Sequence, residues 1–263
     1  MGFFKSFFAS CLGSIVAIAV VIFLSILIFS AIVSSESTVA IDDNTVLYLD
    51  LDAPIMEQAV EDPLAQLIPG GQQAIGLLQL KDAIAYAKGD PKIKGIYLNA
   101  SFLSAGIASV EEIRQSLLEF KQSGKWVVAY APAYTESAYY LASVADKIYM
   151  NPAGQLELNG LAIEVMFYKG LLDKLEIKPQ VFRVGDFKSA VEPFVRENLS
   201  EENRMQLNEL INGIYDEMLE QIASARNISN EKLKGLSSQM LVRSATEAVT
   251  YGLVDSLYYD DQV

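Results

Sequence analysis

The chain has 263 residues, 51% of them hydrophobic, which is ample for one sizeable core with an apolar segment to spare. It contains no histidine and a single cysteine, Cys11, which excludes a Ser-His-Asp triad, cysteine-dependent catalysis, a Cys/His zinc site and any disulfide within the chain. A net charge of −13 argues against nucleic acid as a partner, and any hydrolytic chemistry here needs a lysine or a carboxylate as its base.

Residues 7–33 carry no charge and are long enough to span a bilayer with some tilt. The segment 1–35 is therefore expected to be a membrane anchor, although Ser30-Ala31 and Ser34-Ser35 leave cleavage open. Cys11 reads as a small apolar residue of that helix. Lys5 and the α-amino group lie before the run; Glu36, Asp42 and Asp43 lie after it. Positive residues stay inside, so the bulk of the chain is expected on the periplasmic or extracytoplasmic side of the inner membrane, as a single-pass protein.

Small and acidic residues over 36–44 read as a linker, and 45–263 as one domain. Residues 45–51 read as a strand, 52–71 as an irregular stretch with three prolines, and 75–87 as a helix ended by Gly89-Asp90-Pro91. Residues 93–99 are a strand; Ser109 is expected to cap a helix over 110–122, with Glu112 completing a capping box. Next come a strand over 126–130, a short helix over 135–144, a strand over 147–150 and a short strand bracketed by Gly154 and Gly160. Residues 164–175 read as helical, and 179–184 lead into a stretch that begins as a strand at Val181. Ser200 caps a long helix whose Ile211, Ile214, Tyr215, Met218, Leu219 and Ile222 share one face. Two small helices and Tyr251-Gly252-Leu253-Val254-Asp255 finish the chain. Strands alternating with helices imply an α/β fold with parallel strands, and the short strands before each helix suggest repeated ββα units.

Residues 181–194 concentrate the chemistry. Val181, Phe182 and Val184 suit a strand, Gly185 breaks it, and Pro193 limits the length of the short helical or turn segment beyond. Lys188 stands between Phe187 and Ala190-Val191. Its plain reading is a surface lysine beside a strand end. The functional reading is a general base, because an apolar setting strips hydration from a lysine and favours the neutral amine. In that reading Lys188 packs against Phe187 and points into a groove rather than into bulk water. Gly185–Ser189 ends in Lys-Ser like a phosphate-binding loop but lacks the glycine before lysine that the motif needs. Ser229 and Lys232 fit a Ser-x-x-Lys pattern, yet a helix cap explains them. Ser137, at a helix start, is either exposed at a cleft or simply a first-turn residue.

Four separated stretches, 182–194, 139–148, 168–175 and 251–255, together resemble the N-terminal half of the long, tandem-repeat type of the signal peptide peptidase A (protease IV) family. That resemblance runs from the anchor to the last residue. It implies a ClpP/crotonase-like fold of repeated ββα units, assembly into a membrane-bound homo-oligomer, signal peptides as substrates and a Ser-Lys dyad without cofactor or metal. Lys188 matches the family's general base. The family's nucleophilic serine belongs to the other half, in an Ala-Ser-Gly-Gly-Tyr stretch; the corresponding place here is Glu136-Ser137-Ala138-Tyr139, with Glu136 where the serine would stand. The chain therefore reads as the half holding the base, inactive alone. A complete non-catalytic scaffold subunit and, more remotely, a crotonase-type acyl-CoA enzyme are the other readings. No glycine-rich oxyanion motif speaks for the last.

Overall fold

A computed structural model describes residues 2–33, 41–59, 74–182, 184–185 and 187–263, in two units that divide after Asp42. Most of the expected linker and of the proline-bearing stretch lies outside the described residues. The first unit is one helix, α1 (Gly2–Val33). Its stretch Gly2–Leu27 is long and apolar enough to cross a membrane, and Phe3, Phe8, Leu12, Ile15, Val21 and Phe23 are all exposed on it. An apolar surface on every side suits lipid rather than water. Cys11 is exposed there as a free thiol.

The second unit is mixed α/β. Strands β1 (Thr45–Asp50), β2 (Ile55–Met56) and β3 (Ile75–Gly76) lead into α2 (Leu77–Gly89). Then come β4 (Ile93–Asn99), α3 (Ile107–Lys121), β5 (Trp126–Ala131), α4 (Glu136–Ala142) and β6 (Lys147–Met150). Helices α5 (Lys169–Lys174), α6 (Glu192–Val195), α7 (Glu201–Arg226), α8 (Asn230–Ser238) and α9 (Ala245–Thr250) precede β7 (Ser256–Leu257). The main sheet has the order β1-β4-β5-β6-β7, with every neighbouring pair parallel, and β2 pairs with β3 in a separate two-stranded ladder.

Register decides where the core sits. Leu49, Leu98, Ala129 and Ile148 lie side by side across four strands, as do Ala131 and Met150. Because side chains alternate along a strand, these positions share one face, and all of them are buried. Helices α2 and α3 supply the matching apolar stripes: Leu80, Ile84 and Ala87 from one, Val110, Ile113, Leu117 and Phe120 from the other. On the opposite face, Tyr48 stacks on Tyr97 at 5.4 Å between ring centres. Trp126 lies over Gly95 so closely that a Cβ there would stand 2.2 Å from the indole.

Several expectations are corrected. Helix α2 starts at Leu77 because Ile75 and Gly76 are spent in the ladder with β2. Helix α3 starts at Ile107 with Gly106 as its cap, so Ser109 lies inside it. Glu112 does not close a capping box; it pairs with Lys81 of α2 across the helix interface. The strand expected between Gly154 and Gly160 is reduced to a single bridge, Tyr134 to Leu156. The helix expected over 164–175 begins only at Lys169, since the Tyr168 N–H donates to the Pro193 carbonyl at 2.7 Å and its ring stacks on Phe194. Among the described residues of 179–184 there is no strand. An extended segment becomes a strand only when a neighbour takes its backbone hydrogen bonds.

Candidate functional site

Two places carry the chemistry expected of this chain. The first is the segment holding Lys188. It runs through Gly185, whose φ of +90° is a conformation glycine adopts without strain, and it ends in the short helix α6. Phe182, Val184, Phe187, Lys188, Ser189, Ala190 and Val191 line an open concavity of about 490 Å³. Lys188 is exposed, and so are its apolar neighbours: Phe182 is 95% exposed, Val184 89% and Phe187 50%. The burial expected of Lys188 is thus not supplied by the described residues of this chain. The concavity is. Arg183 and Asp186 of the same stretch lie outside the described residues.

The floor of this segment is firm. The Glu192 N–H donates to the Ser189 carbonyl at 2.9 Å, closing a turn directly after Lys188. The Glu192 side chain is 1% exposed. Its carboxylate accepts from the Ser200 N–H at 3.1 Å, from the Ser200 hydroxyl and from Asn203 Nδ2 at 2.9 Å. Burial by itself raises a carboxyl's pKa; here the donors outweigh it and hold Glu192 below the usual carboxylate value. Ser200 is the N-cap of α7, as its position in the sequence predicts, and its Oγ also accepts from the Asn203 N–H at 3.1 Å. Sequence reasoning found the cap and missed the carboxylate beneath it. The available signal was Glu192-Pro193, a carboxylate at the start of a short helix amid apolar neighbours.

The second place is the start of α4. Glu136 is 7% exposed, and its Oε1 accepts from Tyr215 Oη of α7 at 2.9 Å and from the Gly160 N–H at 3.2 Å. Tyr215 Oη in turn shares a 2.5 Å hydrogen bond with Ser237 Oγ of α8. Burial dominates, and it pushes the Glu136 carboxyl above its ordinary value against these donors. A carboxyl tied to α7 and to the Gly160 N–H, and through Tyr215 to α8, is a structural knot, not a nucleophile. Ser137 beside it is half-buried in the first turn of α4. Tyr215 belongs by spacing to the apolar face of α7, and its hydroxyl serves Glu136. Ser229 caps α8, accepting from the Lys232 N–H at 3.2 Å, so the Ser-x-x-Lys pattern is a cap. Among the described residues no group of His, Cys, Asp and Glu could hold a metal ion.

A family model described as Peptidase family S49 matches residues 119–263, from the end of α3 to the last residue, including both places. Protease 4 of Haemophilus influenzae is 34% identical over 235 residues, covering 84% of this chain and 38% of that protein. Protease 4 of Salmonella typhi is 41% identical over 162 residues, covering 61% of this chain and 26% of that protein. The protein named Serine protease SPPA, chloroplastic, of Arabidopsis thaliana is 35% identical over 191 residues, covering 72% and 28%. The chain thus spans well under half the length of these relatives.

Proposed function

The chain belongs to peptidase family S49, and from that membership we propose that it is the base-supplying half of a membrane-anchored serine endopeptidase that degrades cleaved signal peptides through a Ser-Lys dyad. The observation that carries the reading is Lys188: a primary amine at the lip of an apolar concavity, on a turn closed by Glu192, in a chain without histidine. In this reading residues 45–263 form a ClpP/crotonase-like peptidase domain, 36–44 a linker and 1–35 the anchor. The domain lies on the extracytoplasmic side and assembles with further copies.

A lysine accepts a serine proton only as a neutral amine, and removal of water favours that form. Phe182, Val184 and Phe187, exposed on this chain, suit a second polypeptide surface that would cover them and dehydrate the amine between them. That surface would bring the nucleophilic serine and the oxyanion donors, since Glu136 stands where this half would hold a serine. Apolar side chains around the base also suit apolar peptides as substrate.

A second reading, a non-catalytic scaffold subunit, is favoured by one observation, the carboxyl of Glu136 tied into the α4–α7–α8 junction. The full protein in its membrane assembly separates the two. Lys188→Ala and Lys188→Arg should each lower kcat for peptide cleavage by about 10²–10⁴-fold, because arginine does not give up its proton in proteins. Full activity of Lys188→Arg would rule out the general-base role, whereas no cleavage by the parent protein itself would leave the scaffold. The anchor is checked by washing membranes with carbonate and high salt: the protein should stay, and its release with Met1 intact would remove α1 from the membrane.

A further inference from the structure

The sequence offers no reason to join Lys188 to α7, because helix caps are local devices and Lys188 precedes the Ser200 cap with α6 between them. The structure joins them through one buried carboxylate. We propose that Glu192 is the positioning residue of the dyad: it clamps the Lys188 turn onto the N-terminal turn of α7 and so fixes where the amine is presented. This rests on the proposed role of Lys188 as general base.

The argument is geometric. From Lys188, the chain passes through a turn whose closing bond is Glu192 N–H to Ser189 O. A second such bond, Phe194 N–H to Val191 O at 3.1 Å, and a third, Arg196 N–H to Glu192 O at 2.9 Å, carry that turn into α6. Backbone bonds of this kind set the shape of a turn but not its place on the protein. Place comes from the side chains. Phe194 stacks on Tyr168, both partly exposed, which leaves that contact wet and permissive. Glu192 reaches inward instead and, among the described residues, meets three donors from the first turn of α7 and its cap: a backbone N–H, a hydroxyl and an amide NH₂. Negative charge is favoured at a helix N-terminus, and bonds to an ionised acceptor are stronger than neutral ones. Helix α7 is a sound anchor because Met218, Leu219 and Ile222 bury its far half in the core. The Lys188 turn is therefore exposed on its functional side and bolted on its inner side.

Such placement matters to catalysis, since a proton acceptor misplaced by about 1 Å can lose roughly 10²-fold in rate. Methionine at 192 keeps the length of the side chain but accepts none of these three bonds, so the clamp opens without a large hole. In the full protein in its membrane assembly, Glu192→Met should lower kcat for peptide cleavage by roughly ten- to a hundred-fold with KM changed less than about twofold. Asn203→Ala, which removes a single donor, should do the same by a few-fold. Amide hydrogen exchange supplies a readout without activity: exchange across 187–195 should rise at least about tenfold while β4 and β5 keep their protection. In a Lys188→Ala background, Glu192→Met should cause no further loss. Unchanged kcat, equal loss in both backgrounds, or exchange raised throughout the sheet would each overturn the positioning role. Full activity of Lys188→Ala would instead overturn the reading of the dyad, and the exchange result would still report on the clamp.

Discussion

The strand ladder β4–β5 and the Lys188 segment are both rich in apolar residues, and they use them in opposite ways. Ile96, Leu98, Val127 and Ala129 are fully buried, covered by helices α2 and α3 that lie beside them in the chain. Phe182 and Val184 are almost fully exposed. Burying a side chain of that size is favourable by roughly 1.5–3 kcal/mol, so folding of this unit leaves that gain unused. One region is complete within a single chain. The other has the composition of a surface finished by something else, and it is the one that presents the candidate base.

The sharpest way to break this contrast is to assay residues 1–263 alone. They should cleave no peptide, and robust hydrolysis that Ser137→Ala abolishes would place a whole site inside this chain. Next in size is the core itself. Leu98→Ala should cost about 2–5 kcal/mol in urea unfolding, whereas Phe182→Ser should cost no more than about 0.5 kcal/mol. A large loss at Phe182 would mean that the segment is packed after all. Gly95→Ala tests the other face of the sheet. The methyl meets the Trp126 indole, and about 1–3 kcal/mol should be lost, recovered in part when Trp126 is also made Leu.

The smallest effect concerns pH, and the two buried carboxyls should respond with opposite signs. Glu136, buried and raised above its ordinary value near 4.5, holds its proton more tightly when folded. Its contribution is full below the unfolded value and is lost as pH rises through the folded one. Glu192, held low by Ser200 and Asn203, contributes above the unfolded value and loses that contribution as pH falls through the folded one. Melting temperatures of Glu136→Gln and Glu192→Gln tracked from acid to neutral pH should diverge from the parent in opposite directions: the first relatively more stable toward neutral, the second relatively less. Parallel curves would show that the two sites do not differ in charge state.

Much of this could be read without coordinates. The strand 93–99 and the caps Ser200 and Ser229 stand where alternation and capping chemistry put them, and the apolar run of residues 7–33 forms a helix throughout. Misreadings cluster where a residue has two possible partners. Glu112 is free to serve its own helix or Lys81, and tertiary packing chose Lys81. Tyr168 suits a helix, yet its N–H went to Pro193. Tyr215 belongs to an apolar stripe by spacing and to a carboxyl by its hydroxyl.

By itself, the sequence determined the class of chemistry open to this chain. Without histidine, and with one cysteine in an apolar helix, only amine or carboxylate bases remain. It also determined the elements whose signals span one or two turns, because periodicity and caps act over a few residues. Only the tertiary structure decided that Val181, Phe182 and Val184 stand outside any strand, that Glu136 is locked between α4, α7 and α8, and that Glu192 ties the Lys188 turn to α7. A strand needs a neighbouring strand, Glu136 needs Tyr215 of α7, and Glu192 needs a cap beyond its own short helix, so each was settled only once the chain had folded.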